Sequence, residues 1–143
     1  MFDFSNDRIK TDYRDALHLA QELRTLTNNY LALVDDIVRA KNRLKAVFRS
    51  EVVDTNTKNF YEDRERIKDL ENLNARFVAG SLYDQVAALE KLKAECKDKF
   101  EKNRRKYRPI RSLSTVPGID LIRASIITAV VCQPQRFLTN QNE

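Results

Sequence analysis

Apolar residues recur every three or four positions through the first fifty residues. Ala16, Leu19, Ala20, Leu23 and Leu26 mark one stretch; Leu33, Val34, Ile37, Val38, Leu44, Val47 and Phe48 mark a second. That spacing gathers them on one side of a helix and predicts helices over about 12–26 and 29–49. Thr27-Asn28-Asn29 reads either as a turn between two helices or as the interior of a single one. Residues 52–57, Val-Val-Asp-Thr-Asn-Thr, are β-branched and Asx-rich and read as a loop. A short, highly charged helix is expected from Tyr61 to about Leu70.

The clearest pattern comes next. Ala75, Leu82, Leu89 and Cys96 fall seven apart, with Val78 and Leu92 as the complementary row. Gln85 and Lys99 weaken that second row, while Val86 and Phe100 broaden the stripe. A stripe of this kind favours a coiled coil or a long helical hairpin. Unbroken over 74–106, the helix is about 50 Å long at ~1.5 Å per residue. Either the helix at 29–49 or a second copy of the chain must cover its apolar side. Gly80 is a weak point, costing about 1 kcal/mol relative to Ala.

Pro109 is expected to end this element. Val116-Pro117-Gly118 then marks a tight connection, and Ile122, Ile126, Ile127, Val130 and Val131 form an intensely apolar helix stopped by Gln133-Pro134. That last helix has little chain after it to pack against, so the expectation is a chain cut short. Only 2 Gly and 3 Pro are available for turns, which disfavours a sheet. The fold class expected is mainly α: a long helical hairpin or coiled coil followed by a partial helix-hairpin-helix domain.

Composition narrows the function classes. No stretch is long and apolar enough to span a bilayer, and no secretory leader is visible, so no membrane partner and a cytoplasmic location are expected. Cys96 and Cys132 have no Cys or His at ligand spacing and read as small core residues. The single His18 lacks a catalytic partner in sequence and reads as structural.

Charge changes the picture more. The net +5 comes from 26 basic and 21 acidic residues. Window 97–111 holds eight basic residues, Lys97, Lys99, Lys102, Arg104, Arg105, Lys106, Arg108 and Arg111, against Asp98 and Glu101. It therefore carries +6 and leaves the rest of the chain near neutrality. Some basic charge suits a helix C-terminus, where it meets the macrodipole. Eight such residues exceed that need, so nucleic-acid phosphate is the preferred partner.

Two segments suggest chemistry. In Lys10-Thr11-Asp12-Tyr13-Arg14-Asp15-Ala16, the two Asp residues stand three apart and would share a helix face, where they could hold a divalent metal. Equally, Asp12 could be a helix N-cap with Asp15 as its N3 acid, and on spacing alone the cap is preferred. The second segment is Leu113-Ser114-Thr115-Val116-Pro117-Gly118-Ile119-Asp120. It reads as the turn of a helix-hairpin-helix, whose backbone amides can face a DNA phosphate, or as an ordinary connection between core helices. Arg123 and the upstream Arg104-Arg105-Lys106 would add sequence-independent attraction. Asp120 stands where a second Gly is expected, and an acid there repels phosphate.

In this order, the two segments resemble the insertion-sequence transposases with a DEDD catalytic set, a family that includes the pilin-gene inverting recombinases. The shared features are a Lys-Thr-Asp-x-x-Asp-Ala segment opening a helix, a long coiled-coil region, and a Leu-x-x-(Ile/Val)-Pro-Gly-Ile segment. An Ala, an apolar helix and an Arg-Phe pair follow, here Ala124, the helix that carries Ile122, Ile126, Ile127, Val130 and Val131, and Arg136-Phe137. The resemblance implies that 1–26 ends a ribonuclease H-like catalytic domain, that 27–108 is a coiled-coil connector, and that 109–143 begins a helix-hairpin-helix DNA-binding domain. It implies catalytic and Mg²⁺-binding roles for Asp12 and Asp15. DNA contacts are expected from Arg104, Arg105, Lys106, Arg108, Arg111, Pro117, Gly118 and Arg123. It further implies a structured RNA partner, and association with itself or with intact transposase subunits through the coiled coil.

The function expected is DNA transposition or site-specific recombination, by a fragment that binds DNA. Two of the family's four acids and its serine nucleophile have no counterpart in this sequence, so the chain alone is expected neither to cleave nor to join DNA. The alternative is a non-catalytic helical DNA-binding or scaffolding protein. A purely structural coiled coil is a third reading.

Overall fold

The computed structural model describes residues 4–131, with side chains from Arg14 onward. The chain is mainly helical: α1 (Phe4–Ser50), a 3-10 helix (Arg64–Asp69), α2 (Leu73–Lys106), α3 (Arg108–Ser114) and α4 (Leu121–Val131). Among the described residues there is no strand, and no helix is long and apolar enough to cross a membrane.

The two helices allowed for at 12–26 and 29–49 are one. Thr27 is buried, and its hydroxyl donates to the Leu23 carbonyl at 2.6 Å. A residue that favours turns when its side chain bonds locally is here tied into the helix's own ladder. The charged segment after the loop is a 3-10 helix, shorter than expected.

The chain divides into two compact units, a mid-chain unit (Tyr30–Glu95) and a terminal unit (Met1–Asn29 with Cys96–Glu143). Segments 1–26 and 109–143, far apart in sequence, therefore fall in the same unit.

The mid-chain unit is built on the C-terminal part of α1 and the N-terminal part of α2. Its core is Leu44, Phe48, Phe60, Leu70, Ala79, Leu82 and Tyr83. Phe48 meets Phe60 edge-on at 5.0 Å and Tyr83 at 6.4 Å between ring centroids. Further along, Lys41 pairs with Glu90 at 2.8 Å. Rising numbers on α1 meet falling numbers on α2, so the two segments run antiparallel in this unit. The α2 stripe is thus covered here by α1 of the same chain, which answers the choice between α1 and a second copy.

One row of that stripe is corrected. Val78 and Leu92, expected inside, are 44% and 46% exposed. Ala79, Val86 and Phe100, one residue further along, are buried in their place, with Lys93 half-buried between them. In the mid-chain unit the reason is Tyr83: its ring packs on Phe48 and Phe60, and its hydroxyl donates to the Phe60 carbonyl at 2.8 Å. Burying that ring turns the 79/83/86 flank of α2 inward.

The intervening loop is held by side chains. The Glu51 carboxylate accepts from the amides of Glu71 (2.9 Å) and Asn72 (3.3 Å). Asn72 then caps α2, its Oδ1 accepting from Asn74 at 2.8 Å and Ala75 at 3.3 Å. Arg66 donates to the Asp54 carbonyl at 2.6 Å and to the Thr57 hydroxyl, and lies over the Phe60 ring at 5.2 Å.

In the terminal unit, Leu23, Ile110, Ala124 and Ala129 form the core, flanked by Leu19, Tyr107, Leu113, Ile119 and Leu121. Pro109 does not itself break α2. The break is the extended Tyr107 (φ −113°, ψ 116°), and Pro109 stands in the first turn of α3, where no helical N–H is needed. Helix α4 buries its small residues, Ala124, Ser125, Thr128 and Ala129, and leaves Val130 and Val131 exposed. The Ser125 and Thr128 hydroxyls donate to the carbonyls of Leu121 and Ala124, so their burial leaves no polar group unpaired.

Candidate nucleic-acid interface

The mid-chain unit holds 12 basic and 12 acidic residues, and the terminal unit holds the remaining 14 and 9. The whole net charge therefore belongs to the terminal unit. Its basic residues differ in how they are engaged.

Arg104 is held by Glu101 one turn back. Its Nε donates to both carboxylate oxygens, at 3.1 and 3.0 Å, and its Nη2 donates to Oε1. Arg105 Nε lies 3.7 Å from the same Oε1. The hydrogen bond from Arg104 holds the Glu101 carboxyl below the usual range. Lys106 sits over the Tyr107 ring at 5.0 Å, and its hydrogen bond with Tyr107 raises its affinity for the proton.

Lys99, Lys102 and Lys106 stand at i, i+3 and i+7 on α2, are exposed, and share a face. Among the described residues no ion pair involves Lys99 or Lys102, nor Arg108 or Arg111 on α3, which are also exposed. Spacing within the basic block did not distinguish these from Arg104 and Arg105. The fold separates them: Glu101 reaches Arg104 and Arg105 at i+3 and i+4, whereas Asp98, four residues before Lys102, forms no ion pair among the described residues.

Between α3 and α4 the chain turns tightly. The Ile119 amide donates to the Val116 carbonyl at 3.1 Å, with Pro117 and Gly118 between them and Gly118 at φ +84°. This is a type II turn: Pro presets the first central residue, and the second needs the positive φ that Gly adopts without strain. Both are exposed. Asp120 caps α4, its Oδ1 accepting from the Arg123 amide at 2.7 Å. Capping explains an acid where the sequence pattern expects Gly. Arg123 folds back, its Nη1 donating to the Gly118 carbonyl at 3.1 Å. The turn thus brings Pro117, Gly118 and Arg123 together, but the amide end of α4 is served by the chain's own carboxylate.

Asp12 and Asp15 lie within α1, which begins at Phe4. The capping reading of Asp12 is therefore overturned, because a residue two turns inside a helix has no free amide to cap. Asp15 is exposed, while the Asp12 side chain lies outside the described residues. Among the described residues no group of three or more His, Cys, Asp or Glu could hold a metal ion. No chemical step is assigned to Mg²⁺.

His18 is exposed beside Glu22 at 3.4 Å, on the surface and not in a core. Cys96 is buried and accepts from the Asn29 side chain at 3.3 Å, whereas Cys132 lies outside the described residues.

Sequence reading missed a cleft of about 650 Å³ in the mid-chain unit, walled by Lys41, Tyr61, Arg64, Tyr83, Asp84 and Glu90. It forms only where the 58–64 loop meets both helices, so no sequence motif marks it. Two of its cations are matched by carboxylates, Lys41 with Glu90 and Arg64 with Asp84.

No family model, no curated protein and no solved structure matches this chain.

Proposed function

We propose that the terminal unit binds nucleic acid through its phosphates, with exposed Lys99, Lys102, Arg108 and Arg111 as principal contacts. Arg104, Arg105, Lys106, Arg123 and the Pro117-Gly118 turn lie in the same unit. The observation that carries this reading is the confinement of the whole net charge to one unit, with four exposed cations that form no ion pair among the described residues. Lysine and arginine so placed release condensed counterions from a polyanion without reading its sequence. DNA, and a role in transposition or site-specific recombination, follow from the resemblance of the 10–16 and 113–120 segments. The activity proposed for this chain is binding, not strand cleavage. A structured RNA partner and Mg²⁺ at Asp12 and Asp15 rest on resemblance alone.

The test is duplex binding across a salt series. Replacing Lys99, Lys102, Arg108 and Arg111 by Ala is expected to flatten the slope of log K against log salt by about 3.6, at ~0.9 per phosphate contact. An unchanged slope refutes the reading.

A second reading, a scaffold that joins protein subunits, is favoured by Leu73 and Phe77, which are 76% and 77% exposed one turn apart on α2. Light scattering of the wild type and of Phe77→Ser checks it. A concentration-dependent oligomer lost in the variant supports the scaffold, and a monomer in both counts against self-association.

A further inference from the structure

We infer that Arg104 and Arg105 form a phosphate clamp whose occupant in the free protein is Glu101, so that this carboxylate sets the strength of the nucleic-acid surface. The inference rests on the nucleic-acid reading for its ligand, but on its own geometry for the clamp.

A carboxylate and a phosphate offer a guanidinium the same thing: two oxygens spaced for a forked pair of N–H donors. Glu101 fills that place in the free chain. Both its oxygens accept from Arg104 Nε, at 3.0 and 3.1 Å, Nη2 donates as well, and Arg105 Nε closes on it at 3.7 Å. The helix enforces this meeting. Residues at i+3 and i+4 flank residue i on the same face, so one carboxylate lies within reach of two consecutive arginines.

The site remains open to solvent. The side chains of Arg104 and Arg105 are 41% and 78% exposed, and that of Glu101 is 34% exposed. Ion pairs at this exposure are weak, so an incoming phosphate can displace the carboxylate. While Glu101 stays, the three groups together carry a single positive charge. Displacing or neutralising it frees both guanidiniums.

The neighbouring lysines supply the contrast. Lys99 and Lys102 lie on the same helix, with no acid paired to them among the described residues. They give the free protein its baseline attraction, and the clamp adds contacts only when Glu101 yields. Asp98 supplies the control: it is exposed on the same turn of α2 and takes part in no ion pair among the described residues. Neutralising it removes the same charge without freeing an arginine.

The experiment compares wild type, Glu101→Gln, Glu101→Ala, Asp98→Asn and Glu101→Gln/Arg104→Ala/Arg105→Ala. Two readouts are used: duplex DNA affinity across a salt series and the salt needed to elute from immobilised heparin. Circular dichroism confirms the helix in each variant. The Glu101 variants are expected to bind duplex about tenfold or more tightly at low salt, with a slope steeper by about 1.8 for two added phosphate contacts. They should also elute from heparin at higher salt. Asp98→Asn should change affinity by less than about twofold, and the triple variant should lose the gain.

Unchanged affinity and slope in both Glu101 variants overturn the clamp, as does an equal gain in Asp98→Asn or a gain that survives in the triple variant. If no protein binds duplex but the Glu101 variants are still retained longer on heparin, the clamp stands and the DNA reading falls. If wild type binds duplex but neither readout moves in the Glu101 variants, the clamp falls and the DNA reading stands.

Discussion

The amide of Val53 donates to the carbonyl of Phe48 at 3.0 Å, bridging the end of α1 across Val52, whose own amide donates to Arg49 at 3.0 Å. This pair of bonds is a Schellman motif, and the accompanying apolar contact is present because Val53 packs against the cluster that contains Phe48. The residue between must be left-handed, and Val52 is, at φ 60°. Gly is the usual occupant; a β-branched side chain there is strained. Val52 is also 94% exposed, so its side chain gains almost nothing from packing. Val52→Gly is therefore expected to stabilise the protein by about 1 kcal/mol, read as a higher melting temperature. A lower one would contradict the strain argument.

Arg66 should matter more than its place in a short, charged 3-10 helix suggests. Its side chain is only 15% exposed, ties Asp54, Thr57 and Phe60 to the 3-10 helix, and pairs with Asp69 inside that helix. Arg66→Ala removes charge-assisted bonds to the loop and a cation–π contact, with an expected loss of about 2 kcal/mol. Limited proteolysis should show new cleavage within 54–63. Wild-type resistance in the variant would mean the loop is held by other contacts.

Acid should weaken the mid-chain unit through Glu90. The hydrogen bond from Lys41 lowers the Glu90 carboxyl from its ordinary 4.5, despite an opposing contribution from partial burial. A carboxyl lowered in the folded state stabilises it fully above the unfolded value. That stability is lost as pH falls through 4.5 and below the folded value. At 39% exposure solvent screening limits the effect to about 0.5 kcal/mol. Denaturant titrations at neutral pH and near pH 3.5 should show Glu90→Gln losing less stability on acidification than wild type. Equal losses would place the acid sensitivity elsewhere.

Purified protein is expected not to cleave or join supercoiled DNA with Mg²⁺. Two carboxylates one helical turn apart supply too few ligands to clamp a phosphoryl transfer with two metals. Mg²⁺-dependent cleavage that disappears in Asp12→Ala would reverse this and establish Asp12 as a metal ligand.

Much of the fold was legible because helical periodicity is local. Leu23, Leu33, Ile37, Leu44 and Phe48 recur at helical spacing and are buried on one helix. The loop at 52–57 and the helix at 74–106 also lie where turn chemistry and spacing put them. The site was legible only as a charge count. Sequence located the cations in 97–111, but it treated Arg104 and Lys102 alike, and only Arg104 finds an acid partner among the described residues.

The sequence by itself determined a mainly helical chain, the place of its loop and the confinement of its charge, since each depends on residues a few positions apart. Tertiary structure decided which flank of α2 turns inward, because that depends on Tyr83 meeting Phe48 and Phe60 from other segments. It also decided that Thr27 lies inside one helix, that Asp120 caps α4 and that Arg123 folds onto Gly118. A polar side chain takes whichever partner the folded backbone brings within hydrogen-bond reach, and composition and spacing do not specify that partner.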